Sequence, residues 1–164
     1  MIKSLREEPL TKHHQRSKFD CGNTALNTFL QRYARQSHDK STAKTYVTLN
    51  EQDKILGFYT LTITSISHKN LPETLQKRLG YHDAPLFTLA RLAVDIDYQG
   101  QGLGGALLYR AIQRCSKVAE QVGGIGLLID AKDENIALWY QSYGAIPLPS
   151  NPLSLILLFE TAKI

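Results

Sequence analysis

The sequence predicts an α/β fold, a mixed central β-sheet flanked by helices. Three observations carry that prediction. Strand-type and helix-type runs alternate along the 164 residues in the order β-α-ββ-(α)-β-α-β-α-β(β). A near-continuous apolar run, residues 85–96, is joined to a long amphipathic run, residues 103–122, by a stretch rich in glycine. A short apolar strand, GIGLLID, follows that helix and completes a strand–loop–helix–strand unit. No repeat or low-complexity linker interrupts the chain, so a single domain over residues 1–164 is expected.

Residues 2–7, IKSLRE, read as a short first strand. Residues 23–36, NTALNTFLQRYARQ, put Leu26, Phe29, Leu30, Tyr33 and Ala34 on one helix face, with Asn23 or Gly22 at the cap. The other face carries Thr28, Gln31, Arg32 and Arg35, so this helix is expected to bury one side and present positive charge on the other. KTYVTLN (44–50) and KILGFYTLTITSIS (54–67) are rich in β-branched and aromatic residues, and the EQD between them predicts a hairpin. LPETLQKRLG (71–80) reads as a short helix with Pro72 in its first turn and Gly80 at its end, presenting Lys77 and Arg78.

PLFTLARLAVDI (85–96) is the next strand, apolar enough to predict burial on both faces. Residues 103–122 give the strongest helix pattern, with Leu107, Leu108, Ala111, Ile112, Cys115, Val118 and Ala119 along one broad face. DENIALWYQSYG (133–144) is a second amphipathic helix, capped by Asp130 or Asp133 and stopped by Gly144. PLSLILLFE (152–160) is a final strand.

Composition narrows the class. Hydrophobic residues make up 43% and charged residues 21%, as in an ordinary soluble globular protein. The first eighteen residues are polar, without the apolar core of a signal peptide, and the longest apolar run, LSLILLF, is too short to span a bilayer. A cytoplasmic protein with no membrane partner is expected. Cys21 and Cys115 form no CxxC pair, which leaves buried free thiols or one disulfide. The five histidines show no HxxxH spacing, so no metal site is expected. The net charge of +4 lies entirely in residues 1–60, which hold ten Lys/Arg against six Asp/Glu. Such a lobe attracts polyanions, or is simply a solvated helix face.

YQGQGLGGALL (98–108) is the most informative stretch. Gly100, Gly102, Gly104 and Gly105 stand between a strand and a helix N-terminus. The first N–H groups of a helix have no intrahelical partner, and the dipole adds partial positive charge there. Glycines let an anion reach those N–H groups without striking a Cβ, so a phosphate-bearing ligand is expected. The P-loop ending GK[ST] is absent. A dinucleotide fingerprint is literally present as Gly100, Gly102 and Gly105, with Asp130 ending the next strand. Against it, DIDYQ intervenes between strand and first glycine, and too little chain follows for the βα units that fold requires.

The same stretch contains Gln99-x-x-Gly102-x-Gly104, which resembles the acyl-CoA loop of the GNAT superfamily of N-acetyltransferases. WYQSYGA, downstream, is similar to that family's second motif. FDCGNTALNTFL, LARLAVD and LWYQSYG together resemble, over nearly the whole chain, the GNAT toxins of bacterial toxin–antitoxin systems, the TacT and AtaT type. Ala145 stands where the family usually has Phe, and Asp133 where many GNAT enzymes outside the toxin branch have Asn.

The resemblance implies the sandwich-like α+β GNAT fold. It implies acetyl-CoA as co-substrate, with pyrophosphate on the amides of Gln99, Gly100, Gln101, Gly102, Leu103, Gly104 and Gly105, and the pantetheine arm along Leu92, Ala93 and Val94. It implies acetyl transfer to the α-amino group of aminoacyl-tRNA, a block of translation, a homodimer, and a ribbon-helix-helix antitoxin that binds DNA. Tyr140 takes the position of the family's functional tyrosine and is the expected general acid, while Trp139 and Tyr143 are expected to be packed aromatics.

The chemistry is consistent with that set. A lysine amine near pKa ~10.4 needs a strong base before it can attack, an α-amine near ~8 needs far less, and an aminoacyl ester lowers its amine further. A phenol near pKa ~10 is protonated at neutral pH and can donate to a departing thiolate. A main-chain N–H near Val94 is expected to polarise the thioester carbonyl, in the manner of an oxyanion hole. Asp95 and Asp97, alternating at a strand end, serve as a base or as caps of the loop, the structural role being favoured. Candidates for tRNA contact are Arg32, Arg35, Lys77, Arg78 and Arg91, with Lys12, Arg16 and Lys18 in the N-terminal segment. They would hold phosphates and so position rather than specify. The alternatives are a GNAT enzyme acting on a small amine or protein N-terminus, and a non-catalytic CoA- or RNA-binding module.

Overall fold

A computed structural model describes residues 5–163. Its strands are β1 (Arg6–Pro9), β2 (Lys44–Leu49), β3 (Ile55–Ile66), β4 (Ala84–Val94), β5 (Gly126–Asp130), β6 (Ile146–Leu148) and β7 (Asn151–Leu158). The helices are α1 (Thr24–Thr28) and α2 (Ala34–Asp39), joined by a π turn (Phe29–Tyr33), then α3 (Glu73–Leu79), α4 (Leu103–Val122) and α5 (Glu134–Gln141). The strands run in the order β1-β2-β3-β4-β5-β7-β6. β4 and β5 pair in parallel, whereas β1–β2, β2–β3, β5–β7 and β6–β7 are antiparallel, so the sheet is mixed as expected. The chain clusters into two compact units, Met1–Thr62 with Ala90–Arg110 and Ile63–Leu89 with Ala111–Ile164.

The first unit is built on the β2–β3 hairpin. Its turn is closed by Asn50, whose Oδ1 accepts from the N–H groups of Gln52 at 3.0 Å and Lys54 at 2.9 Å. Facing Thr45 and Thr60 share a buried hydroxyl–hydroxyl bond of 2.7 Å, so neither polar group is orphaned. Leu10, Phe19, Leu30, Ala34, Val47, Leu49, Ile55, Phe58 and Ala93 form the core of this unit. Each large side chain there contributes roughly 1.5–3 kcal/mol by burial.

Gly57 on β3 is a packing requirement that the sequence pattern conceals. A Cβ there would stand 2.8 Å from Leu107 Cδ1 and 2.9 Å from the Ala93 carbonyl oxygen. Gly57→Ala is expected to cost about 1–3 kcal/mol, the usual range for overpacking. Thermal unfolding should show a Tm lower by several degrees; an unchanged Tm would mean that Ala93 and Leu107 yield freely.

The second unit packs Leu75 of α3, and Leu71 just before that helix, with Ala84, Leu86, Leu148, Ile156 and Leu158. β5 is held between β4 and β7, and Gly126 lies so close to Leu157 that its Cβ would fall 2.3 Å from that carbonyl oxygen. Gly80 ends α3 at φ +63°, where its lack of Cβ matters. Cys115 is a buried free thiol whose pKa burial pushes up to about 12. Cys21 is half-buried and forms no disulfide with it, which removes the disulfide alternative and corrects the expectation that both thiols are buried.

Other expectations need correction. The helix predicted over 23–36 is interrupted by the π turn, which inserts an extra residue into the winding and advances the face. Leu30 and Ala34 stay buried, but Tyr33, expected inside, is 54% exposed. Val118 on α4 is likewise 45% exposed. The strand predicted over 85–96 stops at Val94, and its last residues are not covered on both faces: Arg91 is exposed, and Leu92 and Val94 are half-buried. The first strand is Arg6–Pro9, and the part of the expected strand at residues 2–4 lies outside the described residues.

Candidate active site

The glycine stretch lies in the first unit. β4 ends at Val94. Asp95, 2% exposed, caps the 3-10 turn Ile96–Tyr98 by accepting from the Asp97 N–H at 3.1 Å. Its second oxygen accepts from the Asp20 N–H at 3.3 Å. Both carboxylate oxygens are engaged, which is the structural role rather than that of a base. Asp97 is exposed and pairs with Lys54 at 3.9 Å.

Gly100 and Gly102 then take φ of +75° and +83°. These left-handed conformations favour glycine, and a Cβ at either position would meet nothing within 4 Å. Conformation, rather than crowding by the protein, therefore selects these two glycines, and open space stands over the loop. α4 starts at Leu103, and its Ala106 N–H bonds back to the Gly102 carbonyl at 3.2 Å. The loop so presents a twenty-residue helix N-terminus beside a strand end that is only partly covered. That arrangement suits an anionic group joined to an extended chain.

Gln99 behaves differently from the glycines. Its Nε2 donates to the carbonyls of Cys21 and Val94, both at 2.9 Å. The donor end of the side chain is therefore spent on the loop itself. Nothing in the local sequence pattern marks the turn at Asp20–Gly22 as the group that receives it.

The first unit also holds a basic surface. Arg16, Arg32, Arg35 and Lys40, with Gln31, Gln36 and Asp39, line a groove of about 460 Å³. A neighbouring groove of about 440 Å³ shares Arg16, Gln31 and Arg32 and adds Lys12, His13 and His14. Lys40 escaped the sequence reading because it lies beyond the predicted helix end. Arg35 reaches Asp39 at 3.9 Å, while Arg32 is exposed. Arg91 is held over the Phe29 ring, 4.4 Å from its centroid, and donates to the Ala90 carbonyl at 3.1 Å.

Tyr140 lies in the second unit, on α5. Asp133, rather than Asp130, caps this helix, accepting from the Ile136 N–H at 2.9 Å. Gly144 (φ +104°) follows its end, where a Cβ would stand 3.0 Å from the Thr161 carbonyl oxygen. Tyr140 is 6% exposed, and burial raises its phenol pKa above the usual value. No hydrogen bond to its hydroxyl is found among the described residues. Trp139 packs edge-on against Tyr140 at 4.9 Å and Tyr143 at 5.1 Å, as expected of packed aromatics. Lys77 and Arg78 are also in this unit, and each is paired, Lys77 with Glu73 at 3.6 Å and Arg78 with Glu160.

Among the described residues no cluster of His, Cys, Asp and Glu is disposed to hold a metal ion, and no helix is long and apolar enough to cross a membrane. His14 instead pairs with Glu8 at 2.9 Å, and His38 Nδ1 accepts from the Thr45 N–H at 3.0 Å.

Comparison with known proteins gives a consistent picture. An acetyltransferase (GNAT) domain model matches residues 41–144. A tRNA-acetylating toxin of Mycobacterium tuberculosis (strain ATCC 25618 / H37Rv) is 31% identical over 147 residues, spanning 90% of this chain and 87% of that protein. The solved structure of AtaT complexed with acetyl-methionyl-tRNAfMet matches with a TM-score of 0.89 at 32% identity, covering 96% of each chain. A mutant AtaT toxin bound to the C-terminus of the antitoxin AtaR and acetyl-CoA matches with a TM-score of 0.79 at 30% identity, covering 95% of this chain and 94% of that one.

Proposed function

We propose that this chain, which belongs to the GNAT acetyltransferase family, is a toxin that transfers acetyl from acetyl-CoA to the α-amino group of aminoacyl-tRNA and so blocks translation. The observation that carries the choice of substrate is the basic groove of Arg16, Arg32, Arg35 and Lys40, in the same unit as the glycine loop. An enzyme for small amines has no use for a groove of about 460 Å³ with four cations on it. A polyanion does, and its capture is accelerated by such a field. The relatives named for tRNA acetylation, and the AtaT complex with acetyl-methionyl-tRNA, support the same reading.

In this proposal the amides of residues 99–105 receive the pyrophosphate, and Leu92, Ala93 and Val94 carry the pantetheine arm. Acetyl-CoA supplies an activated acyl group. The chain's own residues do the rest. The α-amine of the aminoacyl ester attacks the thioester carbon; a C–N bond forms and the C–S bond breaks. The amine's proton leaves to solvent, the departing thiolate takes the proton of the Tyr140 hydroxyl, and the phenolate so formed regains a proton from solvent. Arg32, Arg35, Lys77, Arg78 and Arg91 hold tRNA phosphates, the last four more weakly where a partner or a ring already engages them. We further propose a cytoplasmic homodimer neutralised by a ribbon-helix-helix antitoxin; the AtaT–AtaR complexes support the antitoxin partner.

The raised phenol pKa fixes a pH dependence. A group whose pKa is raised keeps its proton to higher pH, so Tyr140 remains a competent acid above pH 10. The amine must instead lose its proton, so kcat/KM should climb as pH rises through the amine pKa and then stay flat to about pH 10. Single-turnover rates over seconds avoid hydrolysis of the ester. A descending limb centred near pH 8 or 9 would contradict Tyr140 as the acid.

The proposal is tested in a bacterial translation extract. Protein and acetyl-CoA added together should stop synthesis, and either alone should not. Continued synthesis with both present would overturn it.

A further inference from the structure

We propose that Asn27 is a positioning residue for acetyl-CoA: it sets the turn Asp20–Gly22, and that turn holds the segment leading into the glycine loop. The inference rests on the reading of residues 99–105 as the acetyl-CoA loop. Gly100 and Gly102 are exposed and left-handed, with nothing within 4 Å of where a Cβ would be. Such a loop is flexible by composition, and ordering it on binding subtracts from affinity. Its shape must be imposed from its flanks.

The flank is hydrogen-bonded in two steps. Asn27 uses both ends of its side-chain amide: Oδ1 accepts from the Cys21 N–H at 2.9 Å, and Nδ2 donates to Asp20 Oδ1 at 3.0 Å. The same Asp20 oxygen accepts from the Gly22 N–H at 2.8 Å. These bonds, the Gly22 N–H first, hold the Asp20 carboxyl below the usual carboxylate range. The turn so fixed, with Gly22 at φ +85°, turns its outward groups to residues 95–99. The Asp20 carbonyl accepts from the Ile96 N–H at 2.7 Å, and the Asp20 N–H donates to Asp95 Oδ2 at 3.3 Å. The Cys21 carbonyl accepts from Gln99 Nε2 at 2.9 Å. Both ends of the segment entering Gly100 are thus tied to a turn that one side-chain amide organises.

Asn27→Asp removes the donor to Asp20 and sets two carboxylates together. Asn27→Ala removes both bonds without adding charge. The exchange Asp20→Asn/Asn27→Asp removes the repulsion and sets an amide against a carboxylate again, with the carboxylate at position 27 still accepting from the Cys21 N–H. It replaces only in part the one Asp20 oxygen that serves both Asn27 and the Gly22 N–H. Acetyl-CoA binding by calorimetry, steady-state kinetics and Tm are measured on all three. Expected are a roughly tenfold weaker acetyl-CoA Kd for Asn27→Asp and about fivefold for Asn27→Ala, with kcat at saturation within about twofold. The exchange should recover Kd part-way, to about threefold of the parent chain.

Unchanged Kd in both single variants would overturn the proposal, as would an exchange variant no better than Asn27→Asp. A fall in kcat and Tm with Kd constant would assign Asn27 a merely structural role and also overturn it. Should Asn27→Asp fail to fold, Asn27→Ala carries the same test. Failure of the parent chain itself to bind acetyl-CoA would overturn the loop reading, a result distinct from parent binding that the variants leave unchanged.

Discussion

Tyr140→Phe is expected to lower kcat by about 10²–10³-fold, the usual contribution of a positioned general acid. The loss should fall on kcat rather than on the KM for acetyl-CoA, because the hydroxyl is needed only as the thiolate departs. Folding gives a clean control. Tyr140 is 6% exposed, and its hydroxyl finds no hydrogen-bond partner among the described residues, so phenylalanine fills the same volume and leaves nothing unpaired. Tm should stay constant or rise slightly. A variant that retains kcat within about threefold would remove Tyr140 from the mechanism, and one that loses Tm along with kcat would make it a packing residue.

Charge reversal at Arg32 and Arg35 should produce the second large effect. Both line the basic groove, and Arg32 is exposed. Arg32→Glu/Arg35→Glu is expected to raise the KM for charged tRNA by about 10–100-fold near 0.1 M salt and to flatten its salt dependence. Acetyl-CoA Kd should not change. The reversed charges are also screened more at high salt, so the gap from the parent chain should narrow there. Lys77→Ala and Arg78→Ala offer a contrast. Each cation has a carboxylate partner, as Arg35 does, but neither lines the basic groove, and losses below about threefold are expected. Equal losses at both pairs of sites would contradict the groove as the principal tRNA surface.

Much of the fold was legible because its signals are local. The span of α4, residues 103–122, follows from one uninterrupted apolar face, and the β2–β3 hairpin from two β-branched runs around a polar turn. The fate of Tyr33 was not legible. A π turn is decided by packing on neighbouring residues, and heptad-like spacing cannot register the extra residue it inserts. The function of FDCGN was equally hidden, since its bonds to Ile96 and Gln99 close loops of more than seventy residues. Gly57 offered a faint signal, an isolated glycine within a strand pattern, which marks close backbone approach. At the site, the glycine loop was visible as a motif. That Gly100 and Gly102 are held left-handed, and that the Gln99 amide donates to the loop, is decided by the folded chain and not by local pattern.

The most direct measurement is acetyl transfer from radiolabelled acetyl-CoA to total charged tRNA, run beside uncharged tRNA, a mixture of small amines and a protein extract. The account predicts label on the α-amino group of aminoacyl-tRNA, absent from uncharged tRNA. Label confined to small amines or protein N-termini would contradict it and leave the basic groove of the first unit without a purpose.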